Sequence, residues 1–96
     1  MPLGDGLTQL DLCEAHGVLV AVGYASSKAY CQRSDDAGAT LLAFNSGATV
    51  IEIGASDDVR PAIVHQSTGA LVAAVIASGV PVVYQSYNGG ETWAVV

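Results

Sequence analysis

The sequence predicts an all-β chain built from two tandem units, and three observations carry that reading. Its apolar runs are short, rich in valine, and bounded by Gly, Ser, Asn and Asp clusters, as strands are. No stretch shows apolar residues at helical spacing over a useful length. The chain also repeats itself. Sliding residues 17–44 onto 69–96 without a gap gives nine identities in 28 positions: Gly17, Leu19, Val20, Ala21, Ala25, Ser26, Ser34, Gly38 and Thr40 fall on Gly69, Leu71, Val72, Ala73, Ala77, Ser78, Ser86, Gly90 and Thr92. Average residue usage predicts matches at only about 10% of positions. A gap-free excess of this kind marks a duplication with a 52-residue period.

Taken in order, residues 1–7 carry two glycines around Asp5 and read as an arm or lead-in loop. Residues 8–14 alternate Leu10 and Leu12 with polar neighbours and read as a first strand, closed by the turn Ala15-His16-Gly17. The near-continuous apolar run 18–24 predicts a strand buried on both faces. Ala25-Ser26-Ser27 turns the chain into a third strand over 28–33, and a tight hairpin leads to a fourth over 39–44. Asn45-Ser46-Gly47 signals another turn. Residues 49–53 are an extra β-rich stretch with no counterpart in the second unit. The polar segment 54–59, with Asp57-Asp58, is the natural boundary. Arg60-Pro61 then opens four strands at 62–66, 71–77, 82–85 and 92–96. One domain, 1–96, thus contains a first unit over 8–53 and a second over 60–96.

Composition narrows the function. The 96 residues suit one small domain; 51% are apolar and 12% charged, against about 25% charged in average soluble domains. Such a chain is expected to bury surface against partners, foremost copies of itself. Three cations (Lys28, Arg33, Arg60) in a chain of net charge −6 cannot form the basic footprint of a nucleic-acid binder. The charge-free segment 61–90 is interrupted by Ser78-Gly79 and Pro81, so it reads as strands rather than as the ~20-residue apolar helix a bilayer needs. Cys13 and Cys31 are too few for a disulfide framework and read as small buried hydrophobes, their pairing left open. The opening residues 1–6 lack the basic and apolar regions of a signal peptide, so synthesis in the cytoplasm is expected.

The period is anchored by Ser34-x-Asp36-x-Gly38-x-Thr40-Leu41 and Ser86-x-Asn88-x-Gly90-x-Thr92-Trp93. An Asp or Asn side chain bonds to backbone groups within its own turn, Gly takes a positive φ, and Ser and Thr hydroxyls close further local bonds. Trp93 supplies an apolar lid. This pattern resembles the Asp-box of bacterial-neuraminidase-type repeats, with Asn88 in place of Asp and Leu41 in place of Trp. The resemblance implies a structural motif on β-propeller blades. Two blades cannot close a propeller of four to eight, so the implied assembly is a homotrimer with six blades, similar to small two-blade fucose-binding lectins. A small β-sandwich or barrel is the alternative, favoured by the extra stretch at 49–53.

Catalysis is not expected. A sialidase resembling this family needs three arginines around a carboxylate, with a tyrosine, a Glu and an Asp; only Arg33 and Arg60 are present. Asp11, Cys13, Glu14, His16 and His65 are ligand types, and Cys13 and His65 occupy equivalent repeat positions, yet no pair has zinc-site spacing. Asp35-Asp36 and Asp57-Asp58 read as solvated turns rather than calcium loops. Neither a metal nor any other cofactor is expected. Tyr84, Tyr87 and Trp93, with Arg60, are the candidate ligand or partner surface. Small Asp-box chains resemble accessory proteins of bacteriophage particles, so the expected function is a non-enzymatic structural subunit of a capsid or tail surface, touching other virion proteins. A lectin-like module binding a glycan is the alternative.

Overall fold

The structure is a computed structural model that describes all residues from Met1 to Val96. It contains strands and turns and no helix, hence none long and apolar enough to cross a membrane. Strands β1 (Thr8–Ala15), β2 (Val18–Ala25), β3 (Lys28–Ser34) and β4 (Ile51–Ala55) form one antiparallel sheet in chain order. Strands β5 (Ala62–His65), β6 (Leu71–Ala77), β7 (Val80–Ser86) and β8 (Ala94–Val95) form a second in the same order. The two sheets pack face to face around one core.

Three hairpins use two-residue turns. His16-Gly17, Ser26-Ser27 and Ser78-Gly79 all have both residues at positive φ, the geometry whose twist matches that of flanking strands. The second and third are repeat equivalents, so glycine stands in one unit where Ser27 stands in the other.

The fourth strand of the first sheet is not where the sequence places it. Residues 39–44 form no strand, and Ile51–Ala55 pairs with β3 instead. The repeat nevertheless starts correctly. Leu42 N donates to Arg33 O at 2.8 Å, matching the Ala94–Gln85 pairing of the second sheet. The chain then leaves: Phe44 N donates to Ala48 O, Gly47 N to Phe44 O, and the Phe44 ring is buried. The β-rich stretch after this turn takes the edge, with Ile51 opposite Cys31. Burial of Phe44 and Ile53 in the common core rewards the detour.

Val20, Val22, Ala29 and Cys31 of the first sheet meet Ile63, Leu71, Ala73 and Val75 of the second, with Phe44 and Ile53. Of the run 18–24 predicted to be buried on both faces, Val20 to Gly23 are buried and Val18, Leu19 and Tyr24 are half-buried. Sheet faces can be followed through the repeat, because side chains alternate along a strand and opposite residues share a face. Val20, Val22, Ala29 and Cys31 face the second sheet, yet their equivalents Val72, Ala74, Pro81 and Val83 lie on that sheet's far side. The units are therefore stacked front to back. They are not related as mirror faces of a two-fold sandwich.

The centre of the first sheet's outer face is covered by the arm, residues 1–7, while Leu12 on its edge strand stays exposed. Gly4 N donates to Gln32 Oε1 at 2.7 Å, Gln32 Nε2 donates to Asp5 O at 2.8 Å, and Leu3 N donates to Gly38 O at 3.0 Å. Gln32 and Ala21 are fully buried beneath it. Gly23 is required there, since a Cβ would stand 2.8 Å from Leu10 Cδ2 and 2.9 Å from Leu7 Cβ.

Candidate functional site

The two box turns are built by the same bonds. Ser34 Oγ donates to Asp36 Oδ1 at 2.7 Å and accepts from Gly38 N at 2.9 Å; Thr40 N donates to Asp36 Oδ1, and the Thr40 hydroxyl donates to Oδ2. In the second turn Ser86 Oγ donates to Asn88 Oδ1 and accepts from Gly90 N, and Thr92 N donates to Asn88 Oδ1. One bond reverses, because Asn88 Nδ2 is a donor and gives its hydrogen to Thr92 Oγ1 at 2.8 Å. Trp93 Nε1 closes on Gly90 O at 2.9 Å. These bonds pull the Asp36 carboxyl down to about 2, the Thr40 hydroxyl contributing most.

The second turn seats on the first sheet. Gly90 is buried, and a Cβ there would stand 2.9 Å from Cys31 Sγ. Burial raises the Cys31 thiol to about 12, and Cys13 is raised by burial and by Asp11 and Glu14. Both cysteines are free.

A cleft of about 260 Å³ opens beside that seat, lined by Ala15, His16, Val18, Arg33, His65 and Tyr87 among others. The rings of His16 and His65 meet edge to face, with centroids 4.9 Å apart. The Arg33 guanidinium lies over Phe44 at 4.2 Å and donates to Ala43 O at 2.8 Å. Both histidines and one of the two arginines thus converge where no carboxylate lines the wall. Two acids of β1 are otherwise engaged: Glu14 Oε2 accepts from Gly17 N and Asp11 Oδ2 from Ile63 N. A small anionic or hydroxyl-rich ligand is the chemistry such a wall accepts.

Sequence reasoning missed this cleft because it placed Cys13 level with His65. Glu14 opposes Leu19 while His65 opposes Leu71, so Glu14 is the structural equivalent; the first hairpin is one residue shorter. The signal was present in the differing turn lengths. The aromatic surface is dispersed: Tyr84 packs on the core beneath Gly54, Trp93 caps its own turn, and Tyr87 stands 74% exposed at the cleft. Arg60 is exposed in the linker. Asp57 accepts from Ser78 N and Gly79 N through both oxygens, locking the β6–β7 turn to the linker. No three His, Cys, Asp or Glu side chains are grouped as a metal-ligand set.

The remaining feature is the outer face of the second sheet. Val64 (54%), Val83 (37%) and Val96 (72%) are exposed on it, with Val72, Ala74 and Ile76 half-buried between them. Gln85 is its only polar strand residue, and it carries no charge. No family model, curated protein or solved structure matches the chain.

Proposed function

We propose that the chain is a non-enzymatic structural protein that works by assembling with copies of itself through its sheet faces. The observation that supports this reading is the charge-free apolar outer face of the second sheet. A contiguous apolar patch of a few hundred Å² is often a functional surface. The resemblance of the two turns to Asp-boxes adds that the units are propeller-like blades and that the assembly belongs to a bacteriophage capsid or tail. The test is solution mass across a dilution series. A multiple of the 9.7 kDa chain is the expected result, and a monomer at every concentration rejects the reading.

The cleft favours a second reading, a carbohydrate-binding module. Tyr87 offers a stacking ring beside His16, His65 and Arg33, which suit an acidic sugar. Titration with uronic and sialic acids, followed by NMR, should shift the His16, His65 and Tyr87 resonances together. Unmoved resonances at millimolar sugar discard this second reading.

A further inference from the structure

Front-to-back stacking defines what each face is suited to meet. The first sheet's inner face carries Val20, Val22 and Cys31 and is covered by the second sheet. The repeat equivalents Val72, Ala74 and Val83 form the second sheet's outer face, and no part of the described chain covers them. Continuing the stack head to tail would need the front of another copy, the face bearing Ala21, Gly23 and Gln32. That front is closed by the arm, whose backbone satisfies both polar ends of the Gln32 amide. Another copy cannot seat on that front while the arm occupies it, so head-to-tail growth is blocked in the full chain.

Resting on the self-assembly reading, we infer that the outer face of the second sheet pairs with the same face of a second copy. The pair is a two-fold dimer layered arm, first sheet, second sheet, second sheet, first sheet, arm. A face without charged side chains suits such pairing, since like charges would meet across a two-fold axis. Strands of four, seven, seven and two residues at ~3.3 Å rise and ~4.8 Å spacing give a footprint of roughly 300 Å². Two such faces bury roughly 600 Å², below the ~1,000 Å² of a stable specific interface, so the pairing is of the weak, transient kind. The dimer is accordingly expected to dissociate on dilution.

The test compares the full chain with two variants by sedimentation over a hundredfold dilution range. Val83→Glu places a charge on the paired face at an exposed position, and it should weaken association at least tenfold while leaving the β-sheet circular dichroism unchanged. Leu12→Glu lies on the first sheet's outer side, 52% exposed, and should leave the dimer intact. A trimer, or association lost through Leu12→Glu, overturns the like-with-like pairing while self-assembly itself stands. A monomer throughout overturns both.

Discussion

Asp36 and Asn88 are the same position in two chemistries, and the difference is measurable. The Asp36 carboxyl is lowered from 3.8 to about 2 because the Thr40 hydroxyl, the Ser34 hydroxyl and the Thr40 amide all donate to its charged form. A group depressed on folding contributes stability that is present above its unfolded value and lost as pH falls through its folded value. The first turn should therefore weaken between about pH 4 and pH 2, whereas the amide of Asn88 does not titrate. Asp36→Asn should flatten that part of the acid profile of urea midpoints. Parallel profiles for the two proteins would show that Asp36 does not hold the turn. Cys31 provides a second reading of the residue scale. With its thiol raised to about 12 and its side chain buried, it should resist alkylation at pH 8 until the chain unfolds. Rapid labelling of Cys31 in the native protein would mean that the Gly90 turn does not seat on it.

At the scale of elements, the duplication supplies its own controls. Ser27 is held at φ 68° where its equivalent is Gly79, and a non-glycine residue resists that conformation by about 1–2 kcal/mol. Ser27→Gly should therefore stabilise the protein, by about 0.5–1 kcal/mol once glycine's greater unfolded-state freedom is counted, read as a rise in melting temperature. A fall would indicate that Ser27 serves the turn in another way. Packing between sheets has a separate probe in Gly54, where a Cβ would collide with the Tyr84 phenol. Gly54→Ala should cost about 1–3 kcal/mol by overpacking, and adding Tyr84→Phe should recover part of it; no recovery would place the clash elsewhere. Most strands were legible because valine runs and turn residues punctuate them sharply. The exception, 39–44, fails for a physical reason: Leu42 does begin the repeat pairing with Arg33, but burial of Phe44 outweighs continued pairing and Ile51 takes the edge. Local pattern carries no record of that competition. The cleft was illegible for a related reason, since His16 and His65 meet only through the packing of two hairpins of unequal length.

For the molecule as a whole, the arm decides how far the stack extends. Its backbone bonds both the oxygen and the nitrogen of the Gln32 amide, and it covers Ala21 and Gly23. The first sheet's outer face is the repeat equivalent of the face through which the second sheet meets the first: Ala21 and Gln32 correspond to Ala73 and Tyr84. Removing residues 1–6 would expose a front that matches the open back of another copy. Chains able to join front to back either close into a ring or grow without limit, and three chains of two sheets each make a six-sheet ring within the usual range of closed β-propellers. The truncated protein is therefore expected to shift from a dimer to a trimer or to longer polymers, measured by sedimentation at matched concentration. An unchanged dimer would mean that the front face does not match the back and that the arm is only a cover. A monomer with intact sheet signal would mean that the arm itself supports the paired face.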